Sequence, residues 1–257
     1  MITSPHNPKI KHLRDCLSNA KYRKKTQNYV LESPTIILEA LKETSDDCIE
    51  IFVSSESHEL LSSSGVDGVA MTLVSETLLS SLSQLKSSHG ILALMKFPKS
   101  LPVVNGSSLL FLDGVQIPSN LGAIIRNAVA FGCGGLYMSH HTCDPLSPEA
   151  IRASAGHYRH LPVITASLRD VKKHHPTYRL YKMDGHGDTS LNTQLFDTPS
   201  IFVIGSESGF CKETEQELAN VPSICIPIHT RVDSLNVSVA TGILLYSMSC
   251  YTEKNRD

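Results

Sequence analysis

Short apolar runs, spaced by helix-patterned or polar segments, dominate the second half of the 257-residue chain. Leu109-Leu110-Phe111-Leu112 and Ile201-Phe202-Val203-Ile204 are uninterrupted apolar quartets, the pattern of strands buried on both faces. Gly135-Leu136-Tyr137-Met138, Pro162-Val163-Ile164, Arg179-Leu180-Tyr181-Lys182 and Ile224-Cys225-Ile226 predict further strands. From about Asn120 to Phe131, the residues Leu121, Ile124, Ile125 and Ala128 recur at helical spacing. Ser119 or Asn120 can cap that helix, and Gly132 ends it. Arg126 lies off the apolar stripe, free to face solvent or a site. Strands alternating with helices predict a parallel α/β sheet covered on both faces.

The first 96 residues are more mixed. A basic helical segment precedes a strand at Tyr29-Val30-Leu31, an amphipathic helix over Ile36 to Leu41, and strands at Ile49 to Val53 and Gly90 to Met95. The Ser-rich stretches 54–64 and 80–88 read as loops or frayed helix ends. Residues 97–107, with Pro98, Pro102 and Asn105-Gly106, read as a linker. The chain therefore divides into 1–96, a linker at 97–107, and 108–257.

One segment resists a simple pattern. Ser234-Leu235-Asn236-Val237-Ser238-Val239-Ala240 alternates polar and apolar residues, which by period alone is a half-buried strand. Helical spacing follows at once, with Val237, Leu244, Leu245 and Met248 sharing a stripe. Two readings stay open on this segment alone. It is an ordinary Ser or Asn cap, or a turn whose backbone N–H groups hold a ligand at a helix start.

Composition narrows the class. The 41% apolar content builds real cores, but no run approaches the roughly 18 residues of a membrane span. Met1 to Pro8 has no apolar signal-peptide region. Seven scattered cysteines without a C-x-x-C pair argue against a disulfide framework and for a cytoplasmic protein with reduced thiols. The net charge of −2 hides an asymmetry. Lys9, Lys11, Arg14, Lys21, Arg23, Lys24 and Lys25 face Asp15 alone in the first 25 residues, a local +6 that leaves −8 on the remainder. Such a segment attracts a phosphate backbone, or is simply a solvated helix face.

Three blocks follow predicted strands, where open α/β sheets bind ligands. They are Asp113 to Asn127, Gly205-Ser206-Glu207, and Ile226-Pro227 leading into Ser234 to Ala240. Gly205 permits close approach of a ligand, or belongs to an ordinary Gly/Ser turn. Other signatures fail. Gly132-Cys133-Gly134-Gly135 follows a helix instead of opening one, no G-x-x-x-x-G-K-[ST] occurs, and Gly205 to Gly209 has Glu207 where a hydrolase elbow needs serine. His140-His141, His174-His175 and the His157/His160 pair lack a neighbouring Cys or carboxylate set to complete a shell, so no metal is expected.

Taken in order, the blocks resemble the three motifs of SpoU-type (TrmH-like) RNA 2′-O-ribose methyltransferases of the SPOUT superfamily. Asn120-Leu121-Gly122-Ala123-Ile124-Ile125-Arg126 resembles its N-L-G-x-x-x-R, Gly205-Ser206-Glu207 its G-x-E turn, and Ile226-Pro227 with Ser234 to Ala240 its third motif. Arg152-Ala153-Ser154-Ala155-Gly156 matches a further family segment. The N-terminus is similar to the family's accessory RNA-binding domain at Ile2-Thr3-Ser4, Asn7-Pro8-Lys9, Tyr22-Arg23-Lys24 and Tyr29 to Glu32. The resemblance implies a C-terminal α/β parallel-sheet domain with a deep trefoil knot, preceded by a smaller α/β RNA-binding domain. It further implies a homodimer and S-adenosylmethionine as methyl donor. Gly205, Ile226 and Leu235 then bind the cofactor with Ser234 and Asn236 beside them. Arg126 meets the hydroxyl, with Asn120, Glu207, Ser234 and Asn236 orienting it and the cofactor loops. Three positions depart from the pattern: Ser33 for a usual Gly, Ile117 for a common Asp, and Thr230 for a frequent Gly.

The implied reaction transfers methyl to a ribose 2′-hydroxyl, in ribosomal RNA first and transfer RNA second. A guanidinium is a poor base, so Arg126 is expected to hold the adjacent phosphate and stabilise the developing alkoxide. Two rival readings are compatible with the sequence. A non-catalytic RNA-binding or ribosome-assembly protein would bind RNA without cofactor affinity. A small-molecule enzyme on a doubly wound fold would be indifferent to RNase.

Overall fold

The structure, a computed structural model, describes residues 1–62, 68–84, 89–185, 187, 189–191 and 196–254. In chain order the elements begin with α1 (Pro8–Ser18), α2 (Ala20–Thr26), β1 (Asn28–Leu31), α3 (Pro34–Thr44), β2 (Cys48–Val53), α4 (Ser55–Ser62), β3 (Met71–Leu73), α5 (Glu76–Leu82) and β4 (Ile91–Lys96). They continue with β5 (Leu109–Leu112), α6 (Pro118–Ala130), β6 (Leu136–Met138), α7 (Pro148–Ala153), β7 (Val163–Thr165), α8 (Leu168–His174) and β8 (Arg179–Met183). The last are β9 (Thr189–Ser190), β10 (Ser200–Ile204), α9 (Lys212–Glu217), β11 (Ser223–Cys225) and α10 (Val237–Lys254). Two compact units result, one of Met1–Lys99 with Leu146–Gly156, the other of Ser100–Pro145 with His157–Asp257. Among the described residues, no helix is long and apolar enough to cross a membrane.

The first unit is a mixed sheet in the order β1-β4-β2-β3, antiparallel except for the β2–β3 pair. Asn7 caps α1 by accepting from the Lys9 N–H at 2.9 Å, and Pro8 sets its first turn. Ile10, Leu13, Cys16 and Leu17 then bury one helical face into a core with Val30, Phe52 and Leu79. The basic segment is less uniform than its charge run predicts. Lys9, Lys11, Arg14, Lys21, Lys24 and Lys25 are exposed, but Arg23 is buried. Its Nη1 donates to the carbonyls of Cys16 and Leu17 at 2.7 and 3.2 Å, satisfying acceptors that the end of α1 leaves without helical partners. Arg23 is therefore a structural residue, and the expectation that it reaches RNA is corrected.

The Ser-rich stretch 54–64 is mostly helix. Ser54 starts α4, its Oγ accepting from the Ser57 N–H at 3.2 Å, so serine here caps instead of loosening. In the stretch 80–88, residues 80–82 are the last turn of α5; residues 63–64 and 85–88 of the two stretches lie outside the described ones. Ser33 has φ −90°, a backbone any residue adopts, so the family's Gly is not required there.

The second unit is a seven-stranded sheet, parallel throughout, in the order β7-β6-β5-β10-β8-β11-β9. Leu109, Phe111, Ile201 and Val203 pack on Leu168, Val171 and Leu218. The alternate residues Leu110, Leu112, Phe202 and Ile204 point to the other face and are equally buried. Covering both faces is what makes the central quartets wholly apolar. The edge strands β3 and β9 escape the pattern reading, since neither buries a full apolar face. On α6, Leu121, Ile124, Ile125 and Ala128 are buried and Arg126 is exposed, as the stripe predicts. Its cap is not Ser119 or Asn120. Pro118 opens the helix, Ile117 takes the cap position, and no side chain caps it.

Candidate active site

A cavity of about 510 Å³ opens at the C-terminal ends of β8, β10 and β11. Parallel strands all end on this edge, so turns distant in sequence meet there. After β10 the chain turns at Gly205. Ser206 and Gly209 exchange backbone hydrogen bonds at 3.1 and 3.0 Å, and Gly209 has φ +91°, which favours glycine. A Cβ on Gly205 would sit 3.0 Å from the Gly209 oxygen and 3.1 Å from the Phe210 ring. A side chain at Gly205 would therefore press on the Gly209 carbonyl and the Phe210 ring.

The other wall is the start of α10. Residues 234–236 are a loop and the helix begins at Val237, so the alternation of this segment marks no strand. Asn236 does cap the helix: its Oδ1 accepts from the Ser238 N–H at 2.9 Å and from the Ser238 hydroxyl at 2.6 Å. The same side chain does more. Its Nδ2 donates to Asn120 Oδ1 at 3.1 Å, tying the start of α10 to the first turn of α6. Asn127 adds a second tie, Nδ2 to the Ser238 carbonyl at 3.4 Å. Freed from capping, Asn120 serves as the acceptor that joins the first motif to the third. Behind them Val237, Leu244, Leu245 and Met248 are buried.

Of the residues selected from sequence, Gly205, Glu207, Ile226, Ser234 and Leu235 line the cavity. Asn120, Arg126 and Asn236 do not line it, although Asn120 and Asn236 brace its wall. Arg126 makes no hydrogen bond or ion pair with a described residue and is exposed. Ile117 and Thr230 are also exposed. Sequence reasoning missed Met183, Asp184 and Gly185, which line the cavity after β8, and Glu215 on α9. A signal existed for the first three, because they directly follow the predicted strand at Arg179 to Lys182.

The lining is selective in charge. Asp184, Glu207 and Glu215 contribute carboxyl groups and, among the described residues, no Lys, Arg or His takes part. Ile204, Ile226, Ile228 and Leu235 supply apolar surface. Such a cavity suits a ligand with a flat apolar part, hydroxyls and a positive charge, and its size lies within the usual range of about 300–1,000 Å³ for ligand sites.

The histidine expectation needs a correction. His141 follows β6, and the fold brings it together with Cys211 and Glu213 at the start of α9, so a thiol and a carboxylate do accompany one histidine.

Comparison with known proteins fits this geometry. The SpoU rRNA Methylase family matches residues 107–246, and an MRM3-like substrate binding domain matches residues 7–93. An uncharacterized tRNA/rRNA methyltransferase of Synechocystis sp. is 30% identical, covering 95% of this chain and 92% of its own. The Bacillus subtilis 23S rRNA (guanosine(2553)-2′-O)-methyltransferase RlmP is 27% identical, covering 96% and 98%. A crystal structure of an S-adenosylmethionine-bound rRNA methyltransferase from Sinorhizobium meliloti aligns over 97% of both chains, with TM-score 0.79 and 25% identity.

Proposed function

The chain belongs to the SpoU rRNA Methylase family, and from that premise we propose that it methylates a ribose 2′-hydroxyl of RNA using S-adenosylmethionine. The observation that carries the reading is the cavity between the Gly205 turn and the start of α10, with Asn236 bonded to Asn120 behind it. The cavity fits the methyl donor. Gly205 leaves room for close approach, Ile226 and Leu235 offer apolar surface to an adenine, and Asp184, Glu207 and Glu215 complement a sulfonium. When bound there, S-adenosylmethionine supplies a strongly electrophilic methyl group.

The protein's own task is alignment. Holding a hydroxyl in line with its electrophile accounts for roughly 7–11 kcal/mol in well-oriented systems. Arg126, exposed and unpaired among the described residues, is available to grip the phosphate beside the target ribose and to stabilise the developing alkoxide. Asn120 and Asn236 hold α6, and with it Arg126, in register with the cofactor wall. Glu207 and Ser234 flank the donor.

Ribosomal RNA is the favoured substrate, supported by the RlmP relative and the substrate-binding match over residues 7–93; transfer RNA is the alternative. Lys11, Arg14, Lys21, Lys24 and Lys25 are exposed for phosphate contacts, with Lys9 shared with Glu50. A homodimer fits the apolar face that α10 leaves exposed at Val239, Ile243 and Tyr246. The family's trefoil knot and a cytoplasmic location complete the reading, the latter supported by seven free cysteines. Titration with S-adenosylmethionine and mapping of ribose methylation in RNA from cells with and without the gene test it. RNA binding without measurable donor affinity would sink it.

A further inference from the structure

Methyl transfer has no use for His141, Cys211 and Glu213, yet their ligand atoms all lie within 4.8 Å of one another. The three residues line a separate cavity of about 280 Å³, which shares no lining residue with the cavity above. They come from two segments that the parallel sheet sets side by side, the turn after β6 and the start of α9. Both segments are anchored. The Cys211 N–H donates to Asp113 Oδ2 at 2.7 Å, and the Gln116 side-chain amide donates to the His141 carbonyl. Asp113 is fully buried, and its second oxygen, Oδ1, has no hydrogen-bond partner among the described residues. Asp113 thus fixes the backbone of Cys211, the residue that supplies the thiol of the cluster.

We propose that His141, Cys211 and Glu213 bind a divalent transition-metal ion of the zinc class, with water in the fourth position. Sulfur, nitrogen and oxygen donors together select zinc over magnesium or calcium, which take oxygen alone. Metal–ligand bonds of about 2.0–2.3 Å in a tetrahedron place ligand atoms roughly 3.3–3.7 Å apart. Closing from the present spacing therefore needs about 1 Å of movement, which the exposed side chains of His141 and Glu213 can make by rotation. On loading, the Cys211 thiol gives up its proton to solvent and the thiolate takes the metal. No other histidine pair offers this. His174 is bonded to the Asp170 carbonyl, His175 to the Tyr137 hydroxyl, and His157 and His160 meet no third ligand group among the described residues. The bound ion pins the start of α9, between Phe210 and Glu215, both of which line the first cavity.

The test is calorimetric titration of the metal-free full-length protein with zinc chloride, alongside the absorption spectrum with cobalt(II). One saturable ion per chain and a thiolate-to-cobalt charge-transfer band are expected. Cys211→Ser should abolish the band, and His141→Gln, a change at an exposed position, should weaken zinc binding by at least about tenfold. Cys250→Ser, a control thiol elsewhere in the chain, should leave both unchanged, and circular dichroism should show every variant folded. Absence of saturable zinc binding by the wild type, or an unchanged stoichiometry and spectrum in Cys211→Ser, overturns the proposal.

Discussion

Asn236 joins two jobs in one side chain, and they separate by substitution. Asn236→Ala removes the cap of α10, worth about 1 kcal/mol, and the bond to Asn120, worth about 0.5 kcal/mol for an exposed neutral pair. The expected loss is about 1.5 kcal/mol. Asn120→Ala removes only the second bond and should lose about 0.5 kcal/mol, because α6 takes no cap from Asn120. The double variant then loses about 1.5 kcal/mol instead of the sum, a coupling of about 0.5 kcal/mol. Urea denaturation of the four proteins reads these values. Asn236→Asp keeps the acceptor at a helix N-terminus, where a negative charge is favourable, so its stability should stay within about 0.5 kcal/mol of wild type. It nevertheless loses the amide donor to Asn120, and methyl transfer should fall about tenfold or more, because small misplacements of reacting groups are costly. Strict additivity of the two alanine substitutions would refute the bond between the motifs. Full activity of Asn236→Asp would refute its role in alignment.

Arg23 and Lys24 are adjacent but should behave oppositely. Arg23→Gln leaves buried carbonyls at the end of α1 short of a charged donor and should lose about 2–4 kcal/mol in a denaturant titration, while Lys24→Gln stays within about 0.5 kcal/mol and weakens RNA retention on a filter instead. Gly156→Ala should destabilise the first unit by about 1–3 kcal/mol by thermal melting, since φ is +79° and the new Cβ would lie 2.8 Å from Ile36 Cγ2. Burial lowers the His175 pKa below the ordinary imidazole range, with the His174 charge adding to the effect. The folded state therefore favours neutral His175, so its contribution is complete above the unfolded imidazole value of about 6.5 and is lost as pH falls. His175→Gln should flatten the fall in melting temperature between pH 7 and pH 5 relative to wild type.

What the chain's pattern reveals depends on how far apart the interacting residues lie. The central strands are legible because burial on both faces leaves no polar residue to interrupt them, and the α6 stripe is legible because one helix face meets one core. Asn236 is ambiguous for a physical reason: a capped helix start and a strand both alternate polar with apolar over a few residues, and only the helix beginning at Val237, with Ser238 bonded back to Asn236, decides between them. Arg23 misleads in the same way. Its charge belongs to a basic run, but its environment is set by the end of α1 folding back over it, so charge counting assigns it outward and hydrogen bonding assigns it inward. For Asn120, Gly205, Ile226 and Ser234 the long-range pairing is carried by the order of the family's motifs and not by any local pattern. Asp184 lies outside the three motifs, although the rule that ligands gather at strand ends applies to β8 as it does to β10. His141 and Cys211 illustrate the limit more sharply. Neither has a metal-binding spacing within its own segment, and only the parallel register of β6, β5 and β10 makes them neighbours. A site built across strand ends is therefore readable in sequence only as far as something outside the local pattern fixes the order of the strands.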